Sequence, residues 1–286
     1  MKKRFFCMVL VVLLGWEALH QMNGAGAPAD GLQIVQVMNG EGKRSDLTAV
    51  SANRVHQGNL LLVNNDYPVH PEGITTDIIS LAEHGELTGG YTLLDTGIQL
   101  SKKVALQFSK MVEAAGEEGV SQFLISSGYR ELEEQQQLYE QKGADYALPP
   151  GYSEHNLGLS LDIGSSQMEM SRAPEGRWLA ANAWEYGFIL RYPKDKSDIT
   201  GIQYEPWHFR YVGLPHSIIM RDKQYTLEEY LDYLKQQQSI SVKVKGIIYQ
   251  ISYFPVNGST FIPIPAGQQY DISGNNMDGV IVTTHP

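Results

Sequence analysis

One stretch of this chain leaves few structural solutions: Gly151-Tyr152-Ser153-Glu154-His155-Asn156-Leu157-Gly158-Leu159-Ser160-Leu161-Asp162, answered far downstream by Glu205-Pro206-Trp207-His208. Leu157, Leu159, Leu161 and Ile163 alternate with Gly158, Ser160, Asp162 and Gly164, and a period of two predicts a half-buried strand. On its polar face only Asp162 has a long acidic side chain, and its small neighbours leave room for an ion. His155 has the opposite parity, so it belongs in the turn before the strand, folded back towards it. His155, His208 and Asp162 then offer the N/O ligands of a catalytic zinc, which leaves its fourth tetrahedral position to water. Glu205, just before the last imidazole and outside that set, is the base such a water needs. The pattern reads as a zinc hydrolase.

Composition narrows the setting. A chain of 286 residues, 42% hydrophobic and 19% charged, holds one ordinary globular domain plus appendages. Its formal net charge of -10 argues against a nucleic-acid partner, which would call for a basic patch. Cys7 is the only cysteine, so any metal site must come from His, Asp and Glu. Lys2, Lys3 and Arg4 precede the apolar run Phe5 to Trp16, the pattern of an export signal. With Gly24 to Ala27 as small residues for cleavage, the run reads either as a cleaved signal or as an uncleaved membrane anchor. Either way the domain is exported, to the outer face of the cytoplasmic membrane, the wall or the medium.

The domain order read along the chain is 1–27 signal or anchor, 28–56 linker, 57–238 catalytic domain and 239–286 a small β appendage. Asn59 to Val63 looks like a buried strand. Thr96 to Gly119 has helical spacing, with Val104, Phe108, Met111 and Val112 on one face. Gln122 to Ile125 reads as a short strand running into the turn Ser126 to Arg130, followed by a polar helix from Glu131 to Lys142 that Gly143 ends. Ile202 to Val212 reads as a second strand near the site, kinked at Pro206. Leu227 to Gln238 is an amphipathic helix, and strands are expected at Ser241 to Lys245, Ile247 to Phe254 and Thr260 to Ile264. The fold class is α+β: a small antiparallel sheet flanked by helices, with a zinc cleft.

The other histidines, His20, His56, His70, His84, His216 and His285, have no partner at ligand-like spacing. Arg130 follows a strand and a tight turn, so it is placed to project into the cleft and stabilise an oxyanion. Gln135 can face the same way. Trp207 reads primarily as core packing.

Ser127-Gly128-Tyr129-Arg130 with Gln135, then Ser153-x-His155-x-x-Gly158-x-x-x-Asp162, then Glu205-Pro206-Trp207-His208 resemble the VanY-type D-alanyl-D-alanine carboxypeptidases, zinc peptidases that share a metal fold with hedgehog proteins. The resemblance spans roughly residues 57 to 236. It implies that His155, Asp162 and His208 bind one Zn(II) per chain, that Glu205 is the base and that Arg130 polarises the scissile carbonyl. It also implies that Gln135 and Ser153 help hold a terminal D-alanine. Ser160 departs from the Ala that many relatives carry. The implied partner is a peptidoglycan stem peptide or precursor ending in D-Ala-D-Ala. Its trimming would remove the group that vancomycin-type antibiotics recognise. An L,D-carboxypeptidase or endopeptidase on the same polymer, and a non-catalytic zinc-stabilised binding module, are the alternatives.

Overall fold

The computed structural model describes residues 33–34, 45–143 and 148–286. The export segment and most of the predicted linker lie outside them. Among the described residues no helix is long and apolar enough to cross a membrane.

The strands, in chain order, are β1 (Gln33–Ile34), β2 (Ser45–Val50), β3 (Ile78–Ser80), β4 (Tyr91–Leu93), β5 (Gln99–Ser101), β6 (Phe123–Ser127) and β7 (Ser160–Ser165). They continue with β8 (Phe188–Leu190), β9 (His208–Tyr211), β10 (Ser239–Val244), β11 (Ile247–Pro255), β12 (Thr260–Pro265), β13 (Gln269–Gly274) and β14 (Gly279–His285). The helices are α1 (Lys102–Glu117), α2 (Leu132–Lys142), α3 (Pro174–Asn182), α4 (Ser197–Thr200), α5 (His216–Lys223) and α6 (Leu227–Gln237). The architecture is α+β, as the sequence predicts.

The catalytic half is built on a five-stranded sheet in the order β4-β6-β7-β9-β8. The β4–β6 pair is parallel and the other three pairs are antiparallel. Helix α1 covers one face with Val104, Phe108, Met111 and Val112, all buried against Phe123, Ile125, Leu161, Ile163 and Phe209. It begins later than the helical spacing suggests, because Gln99–Ser101 pairs with β3 and the Ser101 hydroxyl caps the helix by accepting from Val104 N. The period-two expectation holds: Leu157, Leu159, Leu161 and Ile163 are each no more than 1% exposed. With that face buried under α1, strand register is fixed, since a slip of one residue would turn the leucines outward.

Two segments differ from expectation. Leu60 to Val63 is buried but irregular. Its carbonyls go to side chains instead of a strand ladder: Arg210 Nη2 donates to Asn59 O and Leu61 O, and Asn276 Nδ2 donates to Leu62 O. The predicted strand at Ile202 to Val212 shrinks to β9, because Pro206 sits in the turn before it and offers no N–H to a ladder.

Nor do residues 45–56 behave as a linker. Strand β2 pairs along its whole length with β12, and Ala52–His56 forms a 3-10 turn. Val50 and Val55 are buried with Ile262, Ile264, Val280 and Val282 in a second core. The appendage holds more strands than predicted, with β13 and β14 joining a sheet ordered β1-β10-β11-β14-β13. It is bonded to the catalytic half: Leu60 N donates to Ser273 Oγ, and buried His216 bridges Tyr230 Oη (2.8 Å) and Thr283 Oγ1 (3.1 Å). Burial pushes the His216 pKa down to about 3, so this bridge stays neutral.

A chain beginning at residue 57 should therefore be less stable than one beginning at residue 45. Losing the burial of Val50 and Val55 alone is worth roughly 3 kcal/mol, readable as a lower midpoint in urea. Equal midpoints would show that β2 contributes nothing.

Candidate active site

The cleft lies on the sheet face opposite α1. Antiparallel pairing sets Asp162 of β7 beside His208 of β9, and Ser160 beside Arg210. Residues two apart on a strand share a face, so these four side chains stand together while Leu161 and Phe209 enter the core. His155 reaches the site from a 3-10 turn, Glu154–Leu157. Ser153 Oγ caps that turn by accepting from His155 N. At its end Gly158 takes φ +79, and a Cβ there would come within 2.4 Å of Ile78. Only glycine reverses the chain into β7 at this point.

The Ser127-Gly128-Tyr129-Arg130 turn holds the opposite wall. A Cβ on Gly128 would lie 2.1 Å from Gln99 O, so the backbone approaches closely enough for Tyr129 N to donate to that carbonyl. The Gly128 carbonyl then accepts from His155 Nδ1 at 2.6 Å. A carbonyl only accepts, so Nδ1 carries the hydrogen and Nε2 presents a lone pair to the cleft.

His155 Nε2 lies 3.4 Å and His208 Nδ1 3.2 Å from the same atom, Asp162 Oδ1. The imidazole rings stand perpendicular, with centroids 4.9 Å apart. Asp162 Oδ1 is buried without a hydrogen-bond partner, an expensive position for a carboxylate oxygen unless a cation completes it. Ligands about 2.0–2.1 Å from a tetrahedral zinc are themselves separated by about 3.3 Å, which matches both distances. Among the described residues His155, Asp162 and His208 form the one cluster able to hold a metal. The residues fit a zinc ion.

Charge is tuned around this cluster. Burial opposes ionisation of Asp162, but His155 and His208 overcome it and hold the carboxyl well below its usual range. For His208 burial also works against charge, yet the nearby Asp162 and Glu154 carboxylates, 3.2 and 3.5 Å away, lift its pKa to about 9 in the metal-free protein. Glu205 Oε2 lies 3.7 Å from His208 Nδ1. Burial raises the Glu205 pKa to about 7, the range in which a carboxylate serves as a general base near neutrality.

Arg130 is buried and held by its own contacts: Nη1 donates to Gln135 Oε1 (2.6 Å) and Nη2 to Ser127 Oγ (2.7 Å). Gln135 Nε2 donates to Leu148 O. A cavity of about 500 Å³ brings together Arg130, Gln135, Ser153, His155, Asp162, Glu205 and His208, within the range of small-ligand sites. Leu148, Tyr192, Ile202 and Trp207 supply apolar wall. Trp207 is 41% exposed; it walls the cleft and does not pack in the core, because the Pro206 turn holds it outside β9. Sequence reasoning missed Glu154, Arg191 and Arg210, a buried ion cluster behind His208. Glu154 Oε1 meets Arg191 Nε at 2.8 Å and Arg210 Nη1 at 2.7 Å. The adjacency of Glu154 to His155 was the only signal available.

Two imidazoles and a carboxylate that converge on one point, with a separate buried carboxylate beside them, make the kind of site found in zinc peptidases. A family model described as VanY, D-alanyl-D-alanine carboxypeptidase, matches residues 97–214. A D-alanyl-D-alanine carboxypeptidase of Enterococcus faecium is 51% identical over all of this chain and 97% of its own length. The crystal structure of the vancomycin resistance D,D-dipeptidase VanXYg, in complex with a D-Ala-D-Ala phosphinate analogue, matches at a TM-score of 0.74 and 31% identity, covering 85% of this chain and all of that one. The LD-carboxypeptidase LdcB matches at a TM-score of 0.54 and 31% identity, over 66% of this chain and 94% of that one. The chain belongs to the VanY family of D-alanyl-D-alanine carboxypeptidases.

The raised Glu205 pKa has a sign that stability can report. A glutamate at about 7 in the fold, against 4.5 ordinarily, costs nothing below its ordinary pKa. The cost grows as pH rises from there towards 7, because the unfolded chain ionises while the buried carboxyl keeps its proton, and it is fully present above 7. In the metal-free protein Glu205→Gln should leave urea stability unchanged near pH 4.5. At pH 8 it should add up to about 3 kcal/mol, at 1.36 kcal/mol per unit. A constant difference across that range would contradict the assignment.

Proposed function

We propose that this chain is a zinc-dependent D,D-carboxypeptidase that removes the terminal D-Ala from peptidoglycan stem peptides or precursors ending in D-Ala-D-Ala. The observation that carries this reading is the unpartnered Asp162 oxygen between two imidazole nitrogens at 3.4 and 3.2 Å. One zinc per chain would be held by His155, Asp162 and His208. Bound there, zinc supplies Lewis acidity and brings the pKa of water to about 7.

The chain's own groups do the rest. Glu205, 3.7 Å from His208 and outside the ligand set, would take the proton from the attacking water and return it to the departing amine nitrogen. Arg130, already fixed by Gln135 and Ser127, donates to the scissile carbonyl oxygen as negative charge develops there. Because the guanidinium is held in advance, little reorganisation is needed at that moment. Gln135 and Ser153 hold the terminal D-Ala with the polar capacity left after their internal bonds. The apolar wall of Leu148, Ile202 and Trp207 takes the small side chains and excludes water.

Loss of D-Ala-D-Ala ends removes the target of vancomycin-type antibiotics, so the reaction contributes to glycopeptide resistance. The basic and apolar N-terminal segment supports a site of action outside the cytoplasmic membrane. The likeness to LdcB keeps L,D-cleavage as the second reading, since the same fold serves that enzyme.

Incubating the purified chain with pentapeptide and tetrapeptide stems, with and without a chelator, separates the readings. D-Ala released from pentapeptide alone, and stopped by chelator, is expected; Glu205→Gln should retain zinc and lower kcat by about 10²–10⁴-fold. Release from tetrapeptide alone would establish the L,D reading. Chelator-insensitive release, or none, would contradict a zinc peptidase.

A further inference from the structure

Behind the metal ligands lies a charge cluster that the reaction itself does not use. Glu154 is 1% exposed, Arg191 1% and Arg210 0%. Both guanidiniums go to a single oxygen of Glu154: Arg191 Nε donates to Oε1 at 2.8 Å and Arg210 Nη1 lies 2.7 Å from it. Arg191 also forms a two-pronged pair with Glu228, through Nη1 (3.0 Å) and Nη2 (2.7 Å). Arg210 is tied to backbone through the carbonyls of Asn59, Leu61 and Tyr211. Two carboxylates and two guanidiniums therefore balance, and their geometry is fixed by α6, β9 and the irregular segment at residues 59–61.

The second Glu154 oxygen is left facing the site. Oε2 accepts from Ser160 Oγ at 3.2 Å and lies 3.5 Å from His208 Nε2. His208 Nε2 is buried and has no hydrogen-bond partner, and Glu154 is the carboxylate in front of it. The opposite ring nitrogen, Nδ1, faces Asp162. An imidazole that gives Nδ1 to a metal must keep its hydrogen on Nε2, and a buried N–H needs an acceptor.

We propose that Glu154 is a positioning residue for the metal ligand His208. Its Oε2 holds the Nε2 hydrogen and so commits the Nδ1 lone pair to the metal. Arg191 and Arg210 keep that carboxylate in place by occupying its other oxygen. Gly128 O does the same for His155 from the other wall, so the two imidazoles are oriented by different acceptors, one a neutral carbonyl and one a carboxylate. This inference rests on the zinc-ligand reading of His208 and extends it one layer outward.

The experiment measures zinc affinity by competition with a chelator of known affinity, for the unmodified protein, His208→Ala, Glu154→Gln and Glu228→Gln. It adds imidazole nitrogen-15 NMR of the zinc-loaded unmodified protein. Glu154→Gln should weaken zinc binding by about 10–100-fold, while Glu228→Gln, which disturbs the same cluster away from His208, should lower thermal stability and leave zinc affinity within about twofold. NMR should show His208 protonated at Nε2 with slow hydrogen exchange, a readout that stands even where Glu154→Gln fails to fold. Unchanged affinity in folded Glu154→Gln, equal losses in the two glutamate variants, or His208 unprotonated at Nε2 would each overturn the proposal. Unchanged affinity in His208→Ala would instead overturn the ligand set beneath it.

Discussion

The structure depends on one unsatisfied atom. Asp162 Oδ1 is buried, ionised and without a hydrogen-bond partner, and both cleft imidazoles face it. In water such an oxygen would be hydrated; here a cation at the point where the lone pairs meet completes it. The surrounding architecture keeps that point open. Pairing of β7 with β9 fixes two of the donors across a single rung, and the 3-10 turn brings the third from outside the sheet.

Keeping a polar cluster rigid inside a protein requires that its members be held from behind. His155 is held by the Gly128 carbonyl, Arg130 by Gln135 and Ser127, and Asn156 Nδ2 ties the turn to Arg130 O at 2.6 Å. The His155–Gly128 and Asn156–Arg130 contacts span segments that are distant in sequence, so the Ser-Gly-Tyr-Arg turn and the histidine turn position each other. Buried ion pairs gain little net stability, because desolvation offsets most of the attraction. The Glu154, Arg191 and Arg210 cluster is better understood as a means of fixing geometry. The β-strands from residue 239 onwards supply no residue to the cleft walls. They anchor the catalytic half through His216, Ser273 and Asn276 instead.

Much of this was legible in the sequence because local chemistry left little choice. Alternation at Leu157 to Ile163 identified β7, its buried face and the cleft-facing side of Asp162 without reference to any other strand. The opposite parity of His155 required a turn, and the structure supplies one. What stayed hidden depends on register and on long-range partners. Pairing of Asp162 with His208 cannot be read from either strand alone. Arg191 and Glu154 are 37 residues apart, and a buried arginine looks like a surface one until its carboxylate is known. Leu60 to Val63 has the composition of a strand, but Arg210 and Asn276 took its carbonyls. Residues 45–50 lack the periodicity of a strand because only Val50 is buried; their place is fixed by pairing with β12, more than two hundred residues downstream.

X-ray absorption at the zinc K-edge of the metal-loaded protein tests the central claim most directly. The expected spectrum is a four-coordinate N/O shell at about 2.0–2.2 Å, with multiple scattering from two imidazoles and loss of one of them in His208→Ala. A shell containing sulfur, a spectrum with fewer than two imidazoles, or one indifferent to His208 would contradict it.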